Sequence, residues 1–399
     1  MKCKITDKEI NPFMSFGKMP IANGFLKKEK FDKEFFFEME VGFSESISLF
    51  QLKDHPSPEQ MFNERYPFFT GSSEYMKLHF SQYAKFIKDN YLKSNSKVIE
   101  IGSNDGTFLK NFKDSSIDFI GFEPSSNVAQ IATKQGIKTQ NSFFNLESVE
   151  SISDYKKKTD VIFAANVICH IPNLVDLIKT VDKLLSSNGV FIFEEPYLGS
   201  MFEKTSYDQI YDEHIFMFSG SAISKIFNLF DLELIDLIKQ PTHGGSMRYI
   251  IARKNKIPKT SNVAKILDEE KSNNLDNFQF CKEFKDNCEK SKKKLKDLLN
   301  GYKKEGKKIA GYAATSKSTT ILNYCDINDK IVDYICDTTK EKIGKYSPGM
   351  HIPIVPIDHF RDNYPDIAYL FAWNHKNEIF EKEKEFKSKN GKWISHIDL

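Results

Sequence analysis

The chain has 399 residues, enough for two or three domains, and is 40% hydrophobic and 28% charged, a globular balance with ample core. Its 57 basic and 55 acidic groups leave a net charge of +2, which argues against a dedicated nucleic-acid surface. No apolar run reaches the roughly 18 residues of a membrane span, and the N-terminus Met1-Lys-Cys-Lys-Ile-Thr-Asp7 lacks the apolar core of a signal peptide. The six cysteines form no CxxC pair, so reduced thiols and a cytoplasmic location are expected.

Residues 1–75 read as a small irregular module. Phe35-Phe-Phe37 and Ile47-Ser-Leu-Phe-Gln-Leu52 alternate enough for short strands, and Gly17, Pro20 and Gly24 mark loops. Tyr66-Pro-Phe-Phe-Thr-Gly-Ser-Ser73 is aromatic and turn-like, either a connector or a lid. A helix is expected over 75–92, with Tyr75, Leu78, Tyr83, Phe86, Ile87 and Tyr91 as its apolar positions. A buried strand at 98–101 breaks into a glycine turn, Gly102 to Gly106, followed by a helix over 107–112. Strands at 119–124, 160–166 and 189–195 alternate with helices at 128–136 and 174–185, the rhythm of an open parallel sheet. A polar and aromatic insertion fills 196–216, and sheet segments follow at 232–238 and 248–252. Residues 256–306 read as a pair of charged helices. The strand-turn rhythm then restarts at 308–312, 331–337 and 368–374, with a small polar loop, Ala313-Ala-Thr-Ser-Lys-Ser-Thr-Thr320, opening a helix at 321–324. The fold class is α/β: a Rossmann-like central domain, a smaller C-terminal α/β unit and the N-terminal module.

A strand, a glycine turn and a helix start form a ligand cradle at the carboxyl edge of such a sheet, and glycine lets a ligand approach the backbone. Glu100 and Asp105 would repel a pyrophosphate, and the spacing of Gly102-Ser-Asn-Asp-Gly106 is not GxGxxG. The ligand is therefore read as cationic or hydroxyl-rich, and S-adenosylmethionine (SAM) fits. Its contacts are expected from Glu100, Gly102, Ser103, Asn104, Asp105 and Gly106. Glu123, with Pro124, lies about 20 residues on, where a carboxylate reaches a ribose hydroxyl pair. Asn166 would border the adenine or methionine.

His170 follows a strand end that faces the cleft. Tyr211-Asp-Glu-His214 places a phenol, two carboxylates and an imidazole on one loop, the groups for a base near neutral pH and a donor to an oxyanion. His243-Gly-Gly-Ser-Met-Arg248 is a tight turn, either a hairpin alone or part of the cleft floor. Thr315-Ser-Lys-Ser-Thr-Thr320 offers hydroxyls, a lysine and a helix start, either a phosphate site or a plain cap. It is not a Walker loop.

These motifs, in this order, resemble the SAM-dependent sugar C-methyltransferases, which act on nucleotide-linked keto-deoxysugars. The residues that carry the resemblance are Glu100-Ile-Gly-Ser-Asn-Asp-Gly106, Asn166 with His170-Ile-Pro-Asn173, Tyr211-Asp-Glu-His214, and His243-Gly-Gly-Ser246 with Arg248. In the last domain they are Gly311-Tyr312, Lys317, Leu322-Asn-Tyr-Cys325, Pro348-Gly-Met-His-Ile-Pro353 and Ala372-Trp-Asn374. The resemblance implies a zinc-type module over 1–75, a SAM domain over 76–255, and a helical linker plus Rossmann-like substrate domain over 256–399. It implies C-methylation beside a ketone of a nucleotide-linked 4-keto-deoxysugar, at C3. His214 would be the base, Glu213 its orienter, and Tyr211 or His170 the partner of the enolate oxygen. Tyr66, His243, Arg248, Ser316, Lys317 and Asn323 are the implied substrate contacts. No nucleic acid or membrane partner is expected, and the chain would be a monomer or homodimer. The alternative is SAM-dependent O- or N-methylation of a sugar or related metabolite.

The sequence departs from the family in its first module. Cys3 survives, but Thr6, Ser44 and Ile47 stand where partner cysteines belong, so no metal is expected. Pro20-Ile-Ala-Asn23 keeps near-family wording. Asp212 replaces a frequent histidine and is expected to raise the proton affinity of His214.

Overall fold

The N-terminal stretch, expected to be irregular with short strands near 35–37 and 47–52, builds a sheet. In this computed structural model, which describes residues 1–64, 66–113 and 116–399, β1 (Pro12–Pro20), β2 (Phe36–Ser44) and β3 (Leu49–Leu52) pair antiparallel. Their alternating apolar side chains, among them Phe16, Val41, Phe43 and Leu52, are buried.

The helix Glu74–Tyr91 starts at Ser73, whose side chain accepts from Met76 N (3.3 Å). It buries Met76, Phe80, Tyr83, Ala84 and Ile87, whereas Leu78, expected inside, is 60% exposed. The sheet against which it packs is formed by β4 (Lys97–Ile101), β5 (Asp118–Phe122), β6 (Thr139–Gln140), β7 (Thr159–Ala165) and β8 (Leu185–Pro196). After β9 (Phe216–Met217), it is completed by β10 (Leu232–Gln240) and β11 (Ser246–Arg253). The order is β10-β11-β8-β7-β4-β5-β6. Five strands are parallel, but β11 is antiparallel to both neighbours, so the sheet is mixed rather than wholly parallel. The turn between β10 and β11 is too short for a crossover. β9 leaves this sheet and pairs with β3, stitching the first module to the central domain.

Helices Ser261–Ser272 and Gln279–Lys304 lead to five parallel strands, β12 (Ile309–Tyr312), β13 (Tyr334–Asp337), β14 (Ile354–Pro356), β15 (Ile367–Leu370) and β16 (Lys392–Ile394), ordered β14-β13-β12-β15-β16. The helix after β12 begins at Ser316, earlier than expected, because the Thr315 side chain caps it by accepting from Ser318 N (3.2 Å). One core joins the N-terminal module to the long helix and the C-terminal unit: Phe16, Phe43 and Leu52 share it with Phe280, Phe284 and Ile321. Among the described residues, no helix is long and apolar enough to cross a membrane.

Candidate active site

A cavity of about 990 Å3 opens where the carboxyl ends of the central strands face the C-terminal unit. Gly102, Asn104, Glu123, Pro124 and Asn166 line its central-domain side. Gly102 has φ +68, and a Cβ there would lie 2.5 Å from Val167, so the turn requires glycine. Glu123 Oε2 accepts from Asn104 N (3.0 Å) and Oε1 from Ser125 N (2.7 Å), while burial raises its pKa. Asn166 Oδ1 is buried at the cavity wall with no partner among the described residues, an acceptor able to take a ligand's donor. An acidic group, an orphaned acceptor and an open glycine turn suit SAM, whose ribose and ammonium donate hydrogen bonds.

The other expected cradle residues are not among those lining the cavity and shape the turn from beneath. Asp105 accepts from Gly71 N (2.8 Å) and Thr107 Oγ1 (2.6 Å), and Ser103 N donates to Phe122 O (3.0 Å). Gly106 abuts Ile137 and Ala132, and burial raises Glu100 well above the carboxylate range. The aromatic segment lies over the turn, with Thr70 N donating to Asn104 Oδ1 (3.0 Å), and Phe62, Tyr66, Phe68 and Phe69 line the cavity. Tyr66 thereby reaches the site, held by Asn127 Nδ2 at its carbonyl (2.9 Å).

At the seam between the two halves, the rings of His170 and His214 stack at 5.3 Å. His214 Nδ1 is 2.6 Å from Gln209 O and its Nε2 is 2.7 Å from the Tyr211 hydroxyl. A carbonyl only accepts, so Nδ1 carries the proton and Nε2 presents a lone pair to the phenol. Burial, then the neighbouring His170, lowers the His214 pKa well below the usual range, and burial takes His170 to about 3. Both rings are neutral. Two expectations are corrected here. The orienter of His214 is the Gln209 carbonyl; Glu213 Oε1 instead accepts from Asn23 Nδ2 (2.7 Å). Asp212 does not raise the proton affinity of His214, since burial raises the pKa values of both Asp212 and Glu213 and Asp212 Oδ1 is occupied by Ala22 N (3.1 Å).

Ligand atoms of Cys169, His170 and His214 lie within 4.8 Å of one another. Both His214 nitrogens are already engaged, and burial raises the Cys169 pKa well above that of a free thiol. The cluster is organised for proton chemistry rather than for a metal.

On the far side, His243, Ser316 and Lys317 line the cavity with Asn374, His375 and Lys342. A Cβ on Gly244 (φ +86) would lie 2.1 Å from Trp373, so the glycine turn exists to seat that indole. Arg248 and Asn323 are corrected as substrate contacts. Register pairs Arg248 with Glu194, and its guanidinium binds that buried carboxylate (Nε to Oε1, 2.7 Å) over the Tyr83 ring, on the face covered by the helix Glu74–Tyr91. Asn323 Nδ2 donates to Thr319 O (2.8 Å) and Pro348 O (3.1 Å), tying a helix to a loop. Asn23, Lys342 and Asn374 were missed. Asn23 and Asn374 sat in motifs, Pro20-Ile-Ala-Asn23 and Ala372-Trp-Asn374, that gave them no role, and nothing local marked Lys342.

Family profiles match in three consecutive pieces: a putative zinc binding domain over residues 3–62, a methyltransferase domain over 74–237 and a C-methyltransferase C-terminal domain over 241–397. C-methyltransferase NovU of Streptomyces niveus is 28% identical over 392 residues, 96% of this chain and 92% of the relative. A tRNA U34 carboxymethyltransferase of Campylobacter hominis is 29% identical over 164 residues, 39% of this chain and 53% of that one. Among solved structures, a possible histamine N-methyltransferase of Thermotoga maritima aligns at TM-score 0.33 and 19% identity, covering 43% of this chain and 87% of that chain. The plantazolicin methyltransferase BpumL with SAH aligns at TM-score 0.35 and 12% identity, covering 44% and 83%.

The zinc description meets residues that do not fit it. Cys3 is the one cysteine in 3–62 and lies in the core with Ile47 and Leu49. Ser44 Oγ pairs with Ser46 Oγ (3.3 Å), and Gln51 closes the first turn by accepting from Lys4 N (2.9 Å) and donating to Lys2 O (3.0 Å). A closed tetrahedral site needs four thiolate or imidazole ligands.

Proposed function

We infer that this SAM-dependent methyltransferase, which has the three-part build of the C-methyltransferases, adds a methyl group to a carbon beside a ketone, and that its acceptor is a nucleotide-linked 4-keto-deoxysugar methylated at C3. The observation that carries the reading is the buried His214 at the cavity wall, its Nδ1 proton held by the Gln209 carbonyl and its Nε2 lone pair held by the Tyr211 hydroxyl (2.7 Å), a proton-exchanging pair. Transfer to an oxygen does not call for a base able to take a proton from carbon.

Bound SAM supplies an electrophilic methyl group on its sulfonium. A ketone acidifies the neighbouring C–H, and His214 Nε2 takes that proton. Once protonated, His214 Nε2 releases the Tyr211 hydroxyl, which turns to donate to the enolate oxygen, and His170 donates there too in its Nε2-protonated tautomer. The carbon of the enolate is then the nucleophile. Glu123 and Asn166 hold the donor's polar ends, while Tyr66 and Glu213 border the acceptor. Lys317 and Ser316, at the start of the helix Ser316–Tyr324, suit the acceptor's diphosphate. The first module carries no zinc, no nucleic acid or membrane is involved, and the enzyme works in the cytoplasm.

Incubation with SAM and a panel of nucleotide-linked 4-keto-6-deoxy sugars, read by mass spectrometry, should give a singly methylated product. In deuterated water, the carbon next to the ketone should exchange its proton even without methyl transfer. Methylation with no such exchange, or at oxygen, overturns the reading.

A further inference from the structure

The first module lacks the thiols of a metal site yet keeps Pro20-Ile-Ala-Asn23. That loop reaches the reacting centre. Ala22 N donates to Asp212 Oδ1 (3.1 Å), and Ala22 O accepts from Thr319 Oγ1 (2.8 Å). Asn23 Nδ2 donates to Glu213 Oε1 (2.7 Å), and its Oδ1 accepts from Ser316 Oγ (3.1 Å). Two residues of the module therefore join the pair just before His214 to the first turns of the helix Ser316–Tyr324. Thr320 Oγ1 adds a bond to Ile210 O (2.8 Å) from the same helix. Past His214, the chain enters β9 and pairs with β3 of the module, so the loop is gripped on both sides.

The chemistry at Asn23 is specific. It donates to a buried carboxyl and accepts from a hydroxyl at once, which an amide can do and an ionised carboxylate cannot. Glu213 and Asp212 already resist ionisation because they are buried together, and Lys342 is the cation facing Glu213. The donor from Asn23 favours the ionised form of Glu213. Asn23 also lines the cavity itself.

We propose that Asn23 is a positioning residue for the methyl transfer: it fixes Glu213 and the turn that carries His214 against the C-terminal unit, a contact that the N-terminal module makes without a metal. The proposal rests on the reading of Tyr211 to His214 as the reacting loop. Three measurements on full-length Asn23→Ala and Asn23→Asp test it.

Hydrogen exchange, which needs no acceptor, should show the peptide spanning 207–214 exchanging several-fold faster in Asn23→Ala, with the helix Glu74–Tyr91 unchanged. With an acceptor that the wild type methylates, kcat should fall about 10- to 100-fold, the scale of a misplaced catalytic group, while SAH affinity and Tm hold. Asn23→Asp, nearly isosteric, should be worse than Asn23→Ala, and partly recover at lower pH as one of the crowded carboxyls takes a proton. Unchanged exchange at 207–214 with wild-type kcat overturns the proposal, as does a parallel loss of SAH binding and Tm, which marks a purely structural role. A wild type silent on every acceptor condemns the acceptor reading, and the exchange measurement still decides the proposal about Asn23.

Discussion

The central and C-terminal units build the same backbone device and give it opposite charge. After β4, the turn's Asn104 N donates to Glu123, beyond the end of β5 (3.0 Å). After β12, Ala314 N donates to Asp337 Oδ2 at the end of β13 (2.7 Å). Each turn holds one left-handed residue that is not glycine, Asn104 at φ 48 and Ala313 at φ 70. The central turn keeps Gly102 at the cavity wall beside the acidic Glu123, whereas the other has no glycine and is flanked by Lys317 and by Lys342, whose Nζ donates to Ala314 O (2.8 Å). The shared device places a ligand at the carboxyl edge of each sheet. In the function proposed above, the central device holds SAM beside Glu123, and Lys317 and Lys342 beside the other device would receive the acceptor's diphosphate.

The largest effect should come from the seam where the halves meet. His214→Ala should lower kcat by about 100- to 10,000-fold, the usual contribution of a general base, with SAH binding unchanged by calorimetry. Wild-type turnover in that variant would remove His214 from the reaction. The comparison itself is broken or sharpened by a crossed pair. Glu123→Ala should weaken SAM binding by about 10- to 100-fold, the worth of charged hydrogen bonds, and leave acceptor KM alone. Lys317→Ala should do the reverse. If either variant moves both constants equally, the division of labour between the halves is wrong.

A smaller effect is expected on stability. Burial raises Glu195, on the central side, from 4.5 to about 7, with its Oε1 accepting from Val167 N and Ile168 N. A carboxyl raised on folding holds its proton more tightly in the folded chain. Its stabilising contribution is therefore full below 4.5 and is lost as pH rises through about 7. Glu195→Gln keeps the neutral form, so urea melts should find it close to wild type near pH 4.5 and more stable at pH 8, by up to about 3 kcal/mol. A constant difference across that range would refute the assignment. The smallest effect concerns the first module: elemental analysis should find far less than one zinc per chain, and chelator should leave Tm unmoved. One zinc per chain would show ligands that the packing around Cys3 hides.

Much of the fold was legible because its signals are local. The apolar run before Gly102, the acid Glu123 at its spacing and the alternation of strands and helices all lie within short windows, and the structure keeps each near its expected place. The misplaced side-chain roles share one cause. Arg248, Asn323 and Glu213 were assigned from motifs that say which residues are neighbours in sequence but not which way a side chain turns. The antiparallel register of β11 sends Arg248 to Glu194 and away from the cavity. The sheet of the first module was obscured because β9, 164 residues beyond the last residue of β3, supplies its fourth strand.

The sequence by itself pointed to the donor: a glycine turn after a buried strand, with Glu100 and Asp105 in and beside it, admits few ligands, and those signals are written in consecutive residues. It also showed a single cysteine in the first module, the ground for expecting no tetrahedral thiolate site there. Only the tertiary structure decided how the reacting loop is held. Asn23 and Glu213 are 190 positions apart, and Ser316 is 293 from Asn23. No periodicity links residues so distant; they meet because three sheets close on one cavity, and the tautomer of His214 follows from a carbonyl that the same closure puts in place.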